Sequence, residues 1–359
     1  FHTSSAKVSF VITASQIGYV LGLLFLLPLG DLVKRKRLII SGIFTGSAAL
    51  ALISVARNLA FFEIMSLFIG LSSVVAQIVV PLAADLSVPH KAGKTVGTVM
   101  SGLLLGILLA RTFSGIIADA LGMPAVFLIA SAIMAIMGLT LVKMLPDVEA
   151  KHPDDNIRSI LSSTVGIFLQ YRTLQIRAIY GMLSFAGFTI LWTSISFYLA
   201  GPQYHYTPRT IGFFGLFGVA GALAARLTGI AADKGKAKLT TGLGGFLMVI
   251  GFVGIYLYGP NLLLLATGIV VLDAAFQTVS ITNQSIIYKV DPTARSRINS
   301  SYMSVYFVGG GIGSAITGYA WQQGGWAATS VLGAASGGLI IMIWLVDRVS
   351  MRPIPQPNK

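Results

Sequence analysis

The sequence predicts an all-α integral membrane protein, and three observations carry that prediction. The composition is apolar, the apolar residues fall in long unbroken runs, and the basic residues gather at alternate ends of those runs. Of 359 residues, 55% are hydrophobic and 10% charged, against about 25% charged in a soluble domain. Mean hydropathy is +0.82. A bilayer-spanning helix needs about 20 apolar residues, whereas membrane strands show alternating segments of about 10. The long runs here are helical.

Eleven spans follow in order, at about 8–29, 38–56, 61–84, 96–118, 123–145, 176–200, 210–232, 239–258, 262–288, 299–321 and 326–347. The first closes on "GDLVKRKRL" (30–38), an acid followed by a basic knot. The fourth carries Gly97, Gly102 and Gly106, small residues suited to close helix approach. After the fifth comes 146–175, the one long polar-rich connection, which holds Lys151, Arg158 and Arg172 and runs up to Arg177. The seventh closes on "GIAADKGKAK" (229–238), a second acid and basic turn. The tenth contains "VGGGIG", which lacks the Lys-Ser/Thr of a phosphate loop and lies in an apolar run, so it is packing and not nucleotide binding. The organisation is an N-terminal half over 1–145, the connection 146–175, a C-terminal half over 176–348 and a tail over 349–359.

Lys34, Arg35, Lys36, Arg37, Lys91, Lys94, Lys143, Lys234, Lys236, Lys238, Lys289, Arg295, Arg297 and the tail residues Arg348, Arg352 and Lys359 all fall on one side of this topology. The other side has Lys7, Arg57 and Arg209. The positive-inside rule makes the crowded side, with the C-terminus, cytoplasmic. The net charge of +13 therefore reads as topology and not as a nucleic-acid surface. There is no cysteine, and His2, His90, His152 and His205 make no cluster, so no metal site is expected. Neither a paired acid nor a serine triad points to an enzyme, and no cofactor is called for.

The two halves repeat. Asp31 and Asp233 each end a Gly-rich span before a basic turn, 202 residues apart. "SGIIADALGMPAVF" (114–127) resembles "TGYAWQQGGWAATS" (317–330), with Gly115 and Gly318 offset by 203. Parallel repeats of membrane helices suggest a transporter. At that offset the span 176–200 has no partner in the first half, so the expectation is two six-helix halves with the first helix absent from this sequence.

On these residues the chain resembles the major facilitator superfamily. That family's signature between helices 2 and 3 reads Gly, three residues, Asp, Arg or Lys, one residue, Gly, then two basic residues. Gly229, Asp233 and Lys234 match, with Gly235 one place early. In "LLPLGDLVKRKR", Asp31, Arg35 and Lys36 match, while Leu27, Leu32 and Lys34 depart from the pattern. The chain is most similar to bacterial proton-driven drug or sugar efflux permeases, although "LLLGILLART" (103–112) lacks the proline of the antiporter motif. The resemblance implies a gate. Asp31 would meet the cytoplasmic start of helix 11, near Asn299 to Met303, and its basic neighbours would pair with an acid ending helix 4, here Asp85. Asp233 would do the same near Lys94 to Val99. The plainer alternative is a pair of topology markers.

A charge within a span costs about 2.5–3.5 kcal/mol or more and usually marks a pathway. Asp273, Arg111 and Arg226 are such charges. Arg226 stands two turns before Asp233 and is grouped with the gate. Asp273 is the proton-coupling candidate, because burial favours a neutral carboxyl and a nearby cation favours a charged one. The alternative is a static partner for Arg111. The resemblance places Asp273 on helix 10, which lines the cavity, and Arg111 on helix 5. Gln77, Trp192, Gln277 and Asn283 are further cavity candidates, able to add hydrogen bonds and a stacking face. Single amides are equally explained by helix packing.

The expected function is proton-coupled efflux of a small organic solute by alternating access, in a bacterial inner membrane. The partners are the solute, protons and the bilayer, and the chain is a monomer. The alternatives are a proton-coupled importer of a sugar, organic anion or siderophore, and a fragment that does not transport.

Overall fold

The structure, a computed structural model, describes residues 4–87, 92–148, 157–218, 237–291 and 294–350. Among these residues there are helices and no strands. The first expected span is α1 (Ser5–Leu21), a π-helical turn (Gly22–Leu26) and α2 (Leu27–Leu32). The π turn precedes Pro28, whose nitrogen cannot donate to the preceding turn, so the helix widens to pass it. Next come α3 (Arg35–Ser54), α4 (Leu59–Ser73) and α5 (Val75–Asp85), the last two sharing the third span. Then follow α6 (Ala92–Leu121), α7 (Met123–Met144), α8 (Ile157–Gln170), α9 (Arg172–Ala200) and α10 (Pro208–Phe213), which passes into a 3-10 turn (Phe214–Gly218). The last three are α11 (Ala237–Tyr258), α12 (Leu262–Ile287) and α13 (Arg295–Ser350).

Local chemistry marks the starts. Asn58 Oδ1 accepts from Phe61 N at 2.8 Å, and Asn261 Oδ1 accepts from Leu263 N at 3.0 Å and Leu264 N at 3.2 Å, each satisfying amides that a helix start leaves open. Helix α13 holds two spans, because Gly324 and Gly325 leave helical geometry and Gly325 adopts φ 55°. That left-handed backbone favours glycine, and it produces the break expected between 321 and 326.

The connection 146–175 differs from the expected polar loop. Its latter part is α8, and α9 starts at Arg172. The signal is a helical period: Thr164 and Ile167 are buried while Val165 and Leu169 are exposed. Ser301 Oγ donates to Thr164 O at 3.0 Å, which ties α8 to α13. Arg177, expected beside the loop, is 3% exposed inside α9. Its Nη1 donates to Thr241 Oγ1 at 2.9 Å. No helix breaker separates Tyr171 from Arg177, so the polar residues simply continue as helix.

The helices form two bundles. In the first, α1 packs on α4, and α3 on α4 and α7. Ser47 and Ser131 lock α3 to α7 by donating to each other's carbonyls, at 2.9 and 2.7 Å. In the second, α9 and α11 pack on α12 and α13. Its core includes Tyr180, Leu191, Ile195, Met248, Phe252, Leu272 and Phe276.

The bundles meet along two seams, and the seams are copies of each other. At one, Ser314 Oγ donates to Ser9 O at 2.9 Å. At the other, Thr112 Oγ1 donates to Gly212 O at 3.3 Å. Positions 112 and 314 differ by 202, and 9 and 212 by 203. A Cβ at Gly318 would press on Ala6 and Ser9, and one at Gly115 on Pro208 and Gly212, at the same two offsets. Glycine is needed at both positions because backbones cross there. Gly309 and Gly313 likewise seat α13 on the α9 backbone, at Met182 and Ala186. Gly102 and Gly106, expected to face a partner helix, have no atom of another described residue within 4 Å of a Cβ built there.

Candidate functional site

Two charges from opposite bundles, Asp273 buried and Arg111 half-buried, face the same indole. Arg111 comes from α6. Gly215 leaves room for its stem, since a Cβ there would stand 2.7 Å from Arg111 Cβ. The guanidinium carbon Cζ lies 3.7 Å from the Trp192 ring centroid and 5.7 Å from that of Phe188. Both rings belong to α9, and a cation held against an aromatic face is stabilised more strongly once water is excluded. Phe188 is in turn braced edge-on by Phe276 at 5.6 Å.

Asp273 enters from α12 and is 4% exposed. It couples electrostatically to Arg111 and interacts with the Trp192 indole. Trp192 Nε1 is buried and makes no hydrogen bond of good geometry among the described residues. Gly218 closes the other side, where a Cβ would be 3.5 Å from Asp273 Oδ2. The site therefore joins a carboxylate, a guanidinium and an indole whose donor has spare capacity. Such a group can hold a proton or orient a polar solute.

The other cavity candidates are distributed. Gln277 lies one turn from Asp273 on α12 and is half-buried. Gln77 Nε2 donates instead to Tyr19 Oη at 3.1 Å, and Tyr19 stacks on Phe307 at 3.9 Å. Gln77 thus sits where α1, α5 and α13 converge. Asn283 is fully buried, and its Nδ2 donates to Tyr302 Oη at 3.4 Å. It belongs to a separate polar group around Arg177. Sequence reasoning missed that group because tyrosines within apolar spans read as core.

At the end of the first bundle, Arg35 Nη1 lies 2.8 Å from Asp85 Oδ2, and Arg35 Nε donates to Gly30 O at 3.1 Å. Arg35 is thereby tied to the ends of α2 and α5. Lys36 is half-buried beside it, and Asp31 lies in α2. Gly229, Asp233, Lys234 and Arg226 lie outside the described residues. The Arg35 side chain is 10% exposed and that of Asp85 39%, so solvent weakens the pair and a coupling of about 1 kcal/mol is expected. A double-mutant cycle with Arg35→Ala and Asp85→Ala, read by thermal unfolding, measures it. Strictly additive losses would mean that the pair contributes nothing.

Comparison with known proteins decides the family. The family model described as Major Facilitator Superfamily matches residues 1–314 and 177–359. The chain belongs to the major facilitator superfamily. The uncharacterized transporter YgaY of Escherichia coli (strain K12) is 45% identical over 344 residues, covering 96% of this chain and 87% of YgaY. Among solved superfamily members, the nucleoside transporter NupG superposes with a TM-score of 0.74 at 14% identity, covering 98% of this chain and 92% of NupG. The xylose transporter XylE from E. coli gives 0.70 at 14% identity, covering 95% and 87%. At that identity the two structures speak to fold alone. Superfamily membership makes the chain a multi-pass membrane transporter of small molecules and not an enzyme.

Proposed function

We propose that the chain is a proton-coupled secondary transporter that exports a small organic solute from the bacterial cytoplasm. The observation that carries this reading is the placement of buried Asp273 and half-buried Arg111, electrostatically coupled beside Trp192 and contributed by opposite bundles. Two unit charges interact by about 4 kcal/mol at 4 Å for an effective dielectric of about 20, and the energy falls with distance. Rocking one bundle against the other changes that distance, so the affinity of Asp273 for a proton becomes a function of which side is open. Solute would sit against Trp192 and Phe188, with Gln277 within reach on α12. The pair Arg35 and Asp85, together with Asp31, Lys36 and the second turn at Asp233, would latch the closed cytoplasmic side. The basic loops and the C-terminus face the cytoplasm of a bacterial inner membrane, and the chain works as a monomer without a cofactor.

Import of an organic anion is the second reading. It is favoured by the cationic face that Arg111 presents between two aromatic rings.

The test is proton flux in reconstituted vesicles filled with a pH-sensitive dye, across a panel of drugs, sugars and organic acids. The sign of the pH change relative to the solute gradient separates antiport from symport. Asp273→Asn is expected to abolish the response to the active compound. Proton flux that survives the substitution removes Asp273 as carrier.

A further inference from the structure

A crevice of about 270 Å³ opens along the seam between α1 and α13. Helix α1 lines it with Thr13, Gln16, Ile17 and Leu21, and α13 with Phe307 and Ile312. Ile17, Val308 and Ile312 are exposed and form its outer rim. The α1 wall sits at the middle of the span Ala6–Leu26, so the rim faces hydrocarbon and not water. Small-molecule pockets hold about 300–1,000 Å³. The crevice is at the lower end of that range and has room for a small solute.

Its inner end is a ring. Phe307 lines the crevice and stacks on Tyr19 of α1 at 3.9 Å between centroids. That pair spans the two bundles, so rocking one bundle against the other parts the rings. Behind Phe307 the rings continue. Phe185 of α9 stands edge-on to Phe307 at 5.1 Å and stacks on Phe188 at 5.6 Å. The Phe188 centroid lies 5.7 Å from Arg111 Cζ and 6.3 Å from the Trp192 ring. Gly310 keeps the passage open. A Cβ there would press on the Phe185 ring and stand 3.4 Å from Gln16 Cδ, so the space of one missing side chain joins the crevice wall to the row of rings. Phe307, Phe185, Phe188 and Trp192 are all half-buried, and packing does not close their faces. Rings that only filled a core would be sealed at both ends. This row begins at the bilayer and ends at a cation and at Trp192 Nε1, which has no hydrogen-bond partner among the described residues.

We propose that the crevice is a side entrance by which the solute passes from the bilayer to Arg111 and Trp192, with Phe307 and Tyr19 as its door. It rests on the reading of that site as the place where solute sits, and it names the substrate class. The solute is a small amphipathic compound with an aromatic ring and one hydrogen-bonding or anionic group. The ring dissolves in hydrocarbon and moves from Phe307 to Phe185 to Phe188, where stacked and edge-on contacts are both favourable. The polar group ends at the Trp192 donor or the Arg111 guanidinium. A sugar has no such ring, and burying its hydroxyls in an apolar crevice is costly.

The test labels the full chain in lipid vesicles with trifluoromethylphenyldiazirine, a photoreactive aryl compound that dissolves in the bilayer, and maps the adducts by mass spectrometry. Wild type should carry label on Phe185 and Phe188 as well as on Ile136, an exposed residue of α7. Ile312→Trp and Val308→Trp each fill the crevice from an exposed position. Both should lose the label at Phe185 and Phe188 and keep it at Ile136, and the second covers a folding defect in the first. Ile316→Trp, one turn beyond the crevice and also exposed, should keep all of it. Label at the two rings that survives both crevice substitutions overturns the entrance, because the probe then arrives from the aqueous side. Wild type without label at those rings overturns it as well. The label is read with no solute and no proton movement, so vesicles without flux for any compound sink the transport reading alone. In the flux panel the active compound should carry a ring, and a sugar as the active compound overturns the proposal.

Discussion

Arg111→Ala is expected to stop solute-driven proton movement and to lower stability by roughly 1–3 kcal/mol, the usual cost of leaving a buried polar group without its compensation. Asp273 stays behind at 4% exposure and loses its counter-charge. The Trp192 face loses the cation that covers it. The stem that fills the gap left by Gly215 is also gone. The electrostatic part is separable. Arg111→Leu combined with Asp273→Asn removes both charges and keeps most of the volume. That double variant should melt close to wild type, because replacing both members of a buried pair by neutral groups is often neutral. It should still not couple. Thermal unfolding in detergent, alongside vesicle flux, reads both effects. Equal melting of Arg111→Ala and wild type would mean that the two charges are independent.

Gly18→Ala and Gly70→Ala should each destabilise by about 1–3 kcal/mol, as overpacking does. A Cβ at Gly18 overlaps the carbonyl of Leu67, and one at Gly70 overlaps that of Ser15. Helices α1 and α4 therefore touch backbone to backbone at two reciprocal points, and any side chain forces them apart. A backbone cannot yield as the tip of a long side chain can. Gly102→Ala is the control. Nothing described lies within 4 Å of its Cβ, and alanine is the better helix former by about 1 kcal/mol, so this variant should be neutral or more stable. If Gly18→Ala and Gly102→Ala melt alike, the contact does not limit stability.

These glycines show where reading the chain reaches its limit. Gly102 and Gly18 look equivalent as letters, and one faces open space while the other faces a carbonyl. Gly309 and Gly313 were readable as packing residues because they fall in a dense cluster. Arg177 misled, since a cation next to a polar stretch resembles a loop charge and only the continuous helix α9 buries it. Asp273 and Arg111 were legible as anomalies, because a charge in an apolar run stands out whatever it touches. Their adjacency was not, because 162 positions separate 111 from 273 and nothing local records which helices cross.

Composition and period determined the membrane class and the helical character of the spans, the spacing of like residues gave the repeat at 202 to 203, and the motif at the two basic turns pointed to the family. The reason is that a bilayer imposes length and polarity on each helix separately. The tertiary structure decided the rest: that Trp192 takes the Arg111 guanidinium, that Arg35 reaches Asp85, that Gln77 and Asn283 serve other junctions, and that Arg177 is buried over the Tyr180 ring and held by Thr241. Those are relations between helices. In lipid they are set by which small residues let backbones meet and which polar groups must find each other, and neither is written in the order of residues along a single helix.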